Sequence, residues 1–336
     1  MAQAKIGIDL GSSNTKIYSV GNGVALMEST VVAVATNGYK NEIKAVGDDA
    51  KKLIGKTAEN TKIVFPIFEG EVVNEKLATE MLSRFLKKIK FKQGMNIPLT
   101  LISVPCGAEV TLIKKFNKVA TSAGLSNVYF VEAPILSAIG MGIPLTESSP
   151  CFIVDIGGGI TNIAALSLDG IIAGISVSKG GRNIDTALID YIADNYGLQI
   201  GLLTAERIKV QIGSLLDGDT LSTVINGRDL TTGRPRSIVL KAEDIVEPIR
   251  EFFDKIFELA TKVLSKLPPE VSAEIRHSGM YITGGSAGIV GLDTYCKQKF
   301  NMNINIASDP NVSTVLGTGT VLGNTELLKK IKITDI

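Results

Sequence analysis

Apolar and polar positions along the chain fall into two similar series. Each opens on a short apolar run ending in aspartate, followed by small residues and then renewed apolar alternation. The first is Ile6-Gly7-Ile8-Asp9-Leu10-Gly11-Ser12-Ser13-Asn14-Thr15-Lys16, and the second is Phe152-Ile153-Val154-Asp155-Ile156-Gly157-Gly158-Gly159-Ile160-Thr161-Asn162. This pattern predicts strand, tight turn, strand. Strand-like alternation continues to about residue 34, with turns at 11–14 and 21–23, and a patch over 37–66 holds one short helix at 48–53. Over 74–90, Leu77, Met81, Leu82, Phe85, Leu86 and Ile89 recur at helical spacing behind Asn74 as N-cap, which predicts an amphipathic helix on a sheet. A strand at Leu99–Val104, a helix over 108–122 stopped near Gly124, a strand over 128–131 and a helix over 135–141 complete the first half.

The order restarts at Phe152, so the chain reads as two βββαβα-like halves. The second half carries an insertion from about 181 to 241, with helices over 184–196 and 204–215 and a polar hairpin around 226–235. A long helix over 242–267 follows, apolar on one face through Ile245, Ile249, Phe252, Phe253, Ile256, Leu259, Ala260 and Val263, and Pro268-Pro269 ends it. The strand Met280–Thr283 runs into Gly284-Gly285-Ser286-Ala287, a helix over 288–299 comes next, and Gly317-Thr318-Gly319 enters a closing helix. The halves share little sequence beyond the aspartate hairpins, so the repeat is one of architecture.

At 336 residues the chain is long enough for two lobes, each with its own core. Lysine plus arginine (35) nearly cancels aspartate plus glutamate (34), so no global field favours nucleic acid. Cys106, Cys151 and Cys296 are far apart and lack metal-site spacing, which predicts reduced thiols in or near a core. His277 is the only histidine, which excludes histidine metal clusters and argues against triad chemistry. The first residues lack the pattern of a secretory signal, and no apolar run approaches the roughly 20 residues needed to span a bilayer, so a cytoplasmic location is expected.

Chemistry must then rest on carboxylates, lysines, hydroxyls, backbone amides and a metal. Small residues after each aspartate let backbone N–H groups approach an anion. Two such loops facing each other would hold a polyphosphate, with Asp9 and Asp155 placed as oxygen partners of a hydrated magnesium ion. The turn at Gly284–Ala287 follows a strand and opens a helix, a setting that favours a phosphate or adenosine group. A dinucleotide fold would instead want Gly-x-Gly-x-x-Gly between strand and helix, and the turns at Gly11 and Gly157 are followed by strands.

The three turns together fit the nucleotide site of the actin, heat-shock chaperone and hexokinase superfamily. Within it the chain resembles the MreB family of bacterial actins over nearly its whole length. The matching stretches are Gly7-Ile8-Asp9-Leu10-Gly11, Asn14-Thr15, Val154-Asp155-Ile156-Gly157-Gly158-Gly159, Ala205-Glu206-Arg207-Ile208-Lys209, Gly227-Arg228-Asp229-Leu230, Thr283-Gly284-Gly285 and Gly317-Thr318-Gly319. The resemblance implies an α/β actin-like fold, two lobes with a central mixed sheet each, flanked by helices and split by an ATP cleft. Its subdomains would be 1–33, 67–145 and 318–336 (IA), 34–66 (IB), 146–180 and 242–317 (IIA), and 181–241 (IIB).

ATP and Mg²⁺ are the implied cofactors. Asp9 and Asp155 would position the metal, and Ser12, Ser13, Asn14, Lys16, Gly157, Gly158, Gly159, Ile160, Gly181 and Asp185 would surround the phosphates. Glu206, Arg207, Ile208 and Lys209, with Gly284, Gly285, Ser286 and Ala287, would hold the adenosine; Glu206 and Lys209 are three apart and share a helix face. Two departures from the family pattern matter. Lys16 stands where MreB proteins carry an apolar residue, and actin has a lysine there on the phosphates. In Val131-Glu132-Ala133-Pro134, Ala133 occupies the position of the glutamate that orients the attacking water. A methyl group can do neither that nor accept a proton, so hydrolysis should be slow unless Glu132 or Thr161 substitutes.

The implied function is nucleotide-dependent self-assembly into paired protofilaments that organise cell shape, or internal motility in a wall-less cell. The basic segment 87–98 matches a loop that enters membrane in some MreB proteins, with Phe91, Met95 and Ile97 as its apolar candidates and an anionic inner membrane face as partner. A plasmid-segregation actin is the alternative. A small-molecule kinase would need a carboxylate base where Ala133 stands, and a chaperone ATPase would need an apolar linker and a β-rich substrate domain that this sequence lacks.

Overall fold

The computed structural model describes residues 4–37, 40–90, 98–144, 149–167 and 170–334. Its two large sheets have one topology used twice. In the first, the central strand Lys5–Leu10 pairs antiparallel with Asn14–Ser19, which pairs with Gly23–Ser29; on its other side it runs parallel to Leu99–Val104, which is followed by Val128–Glu132. In the second, Cys151–Ile156 pairs antiparallel with Thr161–Ser167 and then Gly170–Val177, and parallel with Met280–Thr283 and then Ile304–Ile306. The register matches as well, since Asp9 faces Lys16 across its hairpin and Asp155 faces Asn162. A three-stranded sheet is appended to each lobe, Val32–Asn37 with Lys40–Val46 and Thr61–Val64 in the first, and Leu198–Gln199 with Ser222–Asp229 and Pro235–Lys241 in the second.

Side chains alternate across a strand, and here both faces are buried. Ile6, Ile8 and Leu10 join the first lobe's outer core with Phe85, Phe116 and Phe130. Phe152, Val154 and Ile156 do the same in the second lobe with Ile249, Phe253 and Ile256. The opposite faces meet in a third core shared by the lobes, where Leu101 and Val131 pack with Ile153, Ala164 and Val321. Asp9 and Asp155 are on that shared side by the same alternation.

Two helices, Ala133–Gly140 and Ser313–Gly323, cross between the sheets at backbone contact. A Cβ at Gly140 would be 1.8 Å from the Ser313 carbonyl oxygen, and one at Gly317 would be 1.9 Å from that of Leu136. This explains one departure from the sequence reading. Gly317-Thr318-Gly319 is the middle of a helix rather than its entry, because only glycine lets the two axes approach so closely.

Other elements shift by a turn or less. The helix Glu75–Lys88 is capped by Asn74, whose side chain accepts from Leu77 N at 3.0 Å. The long apolar helix is Val246–Leu264, preceded by a tight turn at Ala242–Ile245, and Pro268-Pro269 starts a further helix, Pro269–Ser278. Proline at a first helical position has no N–H to leave unsatisfied, so the pair both stops one helix and opens the next. All three cysteines are free and buried, and burial pushes each thiol pKa up to about 12.

Candidate functional site

The two aspartate hairpins face each other across a cleft of about 410 Å³. Each turn closes in the same way, Gly11 N donating to Asn14 O at 3.2 Å and Gly157 N to Ile160 O at 2.9 Å. The loops nearly touch: a Cβ at Gly158 would be 2.0 Å from Ser13 Oγ, and one at Gly159 would be 2.6 Å from Ser12 Cβ. Ser12 Oγ accepts from Gly70 N at 2.9 Å, which ties the first loop to the turn between the short strands Ile67–Phe68 and Glu71–Val72.

Asp9 accepts from Lys16 Nζ on one oxygen and from Ser103 Oγ on the other, both at 2.9 Å. Asp155 is buried and accepts from Ser137 Oγ at 3.1 Å and Thr314 Oγ1 at 3.5 Å, one hydroxyl from each crossing helix. Burial first, and the charge on Asp9 second, push its pKa up to about 6 against the opposing pull of Lys16 and the two hydroxyls. Two carboxylates whose ionised forms disfavour each other are a fit for a cation. Among the described residues no group of three or more metal-ligating side chains gathers. This donor set suits Mg²⁺, which takes one or two carboxylates and completes its shell with water and phosphate oxygens.

The helix Gly181–Tyr196 starts directly over the second hairpin. Gly181 N donates to Gly157 O and Arg182 N to Gly158 O, both at 2.9 Å. These bonds fasten the first turn of the helix to the hairpin, and its positive end, with Gly181, Arg182 and Asp185, lines the cleft. Lys209 Nζ sits between Asp185 Oδ1 at 2.7 Å and Gly181 O at 2.9 Å. Burial raises the Asp185 pKa, with Lys209 pulling the other way. Glu206 meets Lys51 of the first lobe at 2.7 Å.

Of the residues singled out from sequence, Asp9, Ser12, Ser13, Asn14, Lys16, Asp155, Gly157–Ile160, Gly181, Asp185, Glu206, Lys209, Gly284, Gly285 and Ser286 line this one cleft. Ala287 and Ile208 are instead buried in the second lobe's core, and Arg207 turns outward to Gln211, Thr223 and the Val224 carbonyl. Glu132 accepts from Gly107 N at 2.6 Å, and the buried Thr161 donates to Lys179 O at 2.7 Å. Neither is among the residues lining the cleft, whereas Ala133 is. Phe91, Met95 and Ile97 lie outside the described residues.

Sequence reasoning missed the lining residues Lys51, Phe65, Ser103, Arg182 and Thr314 and the apolar wall of Leu202, Leu203 and Ile289, and Ser137 behind Asp155. Arg182 follows Gly181 directly and could have been read with it. The others come from elements whose approach to the cleft only the tertiary fold sets.

Residues 3–330 match the family model described as MreB/Mbl protein. The chain belongs to the MreB/Mbl family. It is 36% identical to the cell shape-determining protein MreB of Escherichia coli K12 over 321 residues, 94% of this chain and 92% of that one. It is 34% identical to the cell shape-determining protein Mbl of Bacillus subtilis over 329 residues, 98% of each. Among solved structures, MreB5 of Spiroplasma citri bound to ADP superposes with a TM-score of 0.91 at 30% identity over 98% of both chains. The same protein bound to AMPPNP also gives 0.91, at 29% identity and the same coverage. The MamK double helical filament subunit gives 0.81 at 22% identity, a likeness of fold over 96% of this chain and 99% of that one. The actin-like fold expected from sequence is thereby established, and the chain is a homologue of cell shape-determining bacterial actins.

Proposed function

We propose that this MreB-family actin binds ATP with Mg²⁺ in the cleft between its aspartate hairpins, assembles into filaments, and turns the nucleotide over slowly. The observation that carries the reading is the convergence of both hairpins, Lys16, Lys209 and the start of the helix Gly181–Tyr196 on one cavity. Its relative MreB5 was solved with ADP and with AMPPNP, which supports a nucleotide as the occupant. Backbone N–H groups of the two loops would take the phosphate oxygens, Lys16 would neutralise them, and Glu206 and Lys209 would face the adenosine side. Asp9 and Asp155 would hold the magnesium ion, whose bound charge offsets that of the phosphates.

Slow turnover follows from what lines the phosphate end. Ala133 is the residue at the cleft where a water-orienting carboxylate is expected, while Glu132 is engaged with Gly107 N and Thr161 with a backbone carbonyl. The methyl side chain of Ala133 cannot accept the attacking water's proton. Nucleotide bridging the lobes would favour the closed cleft, and so the surfaces offered to the next subunit. In cells the filaments would organise shape, or serve internal motility where no wall exists, and segment 87–98 would attach them to an anionic membrane face. No helix among the described residues is long and apolar enough to cross a membrane, so attachment would be peripheral.

Electron microscopy of the purified protein with ATP, ADP and AMPPNP tests the reading. Filaments whose abundance depends on the nucleotide are expected, and their absence under all three would refute it.

A further inference from the structure

Arg182 holds both hairpins at once. Its main-chain N–H donates to Gly158 O in the second-lobe loop at 2.9 Å, and its Nη2 donates to Ser12 O in the first-lobe loop at 2.7 Å. The guanidinium carbon is 4.2 Å from the centroid of the Phe65 ring and 5.6 Å from that of Phe68. Both rings belong to the chain that returns from the first lobe's small sheet. Burial disfavours the charged guanidinium, and Glu206, Asp185 and Glu69 counter it through their charges. Nη1 is out of reach of solvent and has no hydrogen-bond partner among the described residues.

The guanidinium's hydrogen bond to Ser12 and its stacking on Phe65 and Phe68 all cross the cleft, so they depend on how close the lobes stand. Opening would part the guanidinium from the Ser12 carbonyl and from both rings together, while leaving its main-chain bond to Gly158 intact. Lys51–Glu206 also crosses the cleft, but its side chains are 34% and 37% exposed, which makes it a weak tie. Arg182 is stacked, desolvated and directional, the setting in which a guanidinium outperforms an ammonium.

We propose that Arg182 is a positioning residue that clasps the two lobes over the bound nucleotide and so sets how long the nucleotide stays. The clasp rests on the nucleotide reading of the cleft. It acts on release more than on entry, because its cross-cleft contacts form after closure. A fluorescent ATP analogue bound with Mg²⁺ and chased with excess ATP in a stopped-flow instrument measures the effect. Arg182→Ala should release the analogue about tenfold faster, the scale of one lost charged hydrogen bond, with the association rate unchanged or higher. Arg182→Lys should not restore the wild-type rate, since an ammonium cannot lie flat on Phe65 while donating sideways to Ser12.

Phe65→Leu keeps the arginine and most of the apolar volume, and should speed release about threefold. Circular dichroism of each variant without nucleotide checks its fold, and Phe65→Leu decides the matter if Arg182→Ala does not fold. Release rates within about twofold of wild type would overturn the clasp, as would full rescue by Arg182→Lys. Failure of the wild-type protein to bind the analogue at all would instead remove the nucleotide reading itself.

Discussion

Replacing Asp155 by asparagine should make the nucleotide-free protein more stable at neutral pH, and the gain should vanish in acid. The carboxyl is 7% exposed, and burial, then Asp9, lifts its pKa from 3.8 to about 6. The folded protein therefore holds this proton more tightly than the unfolded chain. From about pH 4 to about pH 6 the group's contribution to stability falls as pH rises; below that window the penalty is absent, and above it the penalty is complete. The displacement from 3.8 to about 6 corresponds to about 3 kcal/mol. Asparagine keeps the shape and an oxygen to accept from Ser137, removes the charge, and leaves the Asp9–Lys16 pair in place. Urea unfolding without nucleotide or Mg²⁺, followed by circular dichroism between about pH 4 and pH 7.5, measures both proteins. Asp155→Asn should exceed wild type by up to about 3 kcal/mol at the top of the range and converge with it at the bottom. Added Mg²⁺ and ATP should then stabilise wild type more than the variant. Profiles that stay parallel across the range would refute the electrostatic account of this residue.

Three further outcomes are expected, two from the structure and one from the sequence of segment 87–98. Ala133→Glu should raise steady-state phosphate release by about a hundredfold, the scale of one general base, while leaving filaments visible by microscopy; unchanged release would show that position 133 does not limit turnover. Gly317→Ala should cost about 3 kcal/mol and lower the thermal midpoint by several degrees, because its Cβ would meet the Leu136 backbone at 1.9 to 3.0 Å and neither helix can retreat. The triple variant Phe91/Met95/Ile97→Ser should lose co-sedimentation with anionic liposomes, and undiminished binding would remove segment 87–98 as the membrane contact.

Much of the cleft was legible from local pattern because its chemistry is local. An aspartate at the end of an apolar strand followed by small residues can do little other than present a carboxylate beside free amides, and both hairpins do so. Glu206 and Lys209 share a helix face by arithmetic, and both reach the cleft. The same arithmetic says nothing about which face is wet. Arg207 and Ile208 belong to the same motif, yet one turns to Gln211 and Thr223 and the other is buried in the core. Ala287 lies between the cleft-lining Ser286 and Gly288, yet its own side chain is buried in the core.

The sequence by itself determined the repeated architecture, the two aspartate hairpins and the family, because each depends on residue type at fixed spacing along the chain. The tertiary structure alone decided how the halves meet. Glycines at 140 and 317 let two helices touch at backbone distance, Ser137 and Thr314 thereby reach Asp155, and Arg182 reaches Ser12, 170 residues away. Contacts of that kind are fixed by packing between elements distant in the chain, and no periodicity within either element encodes its partner.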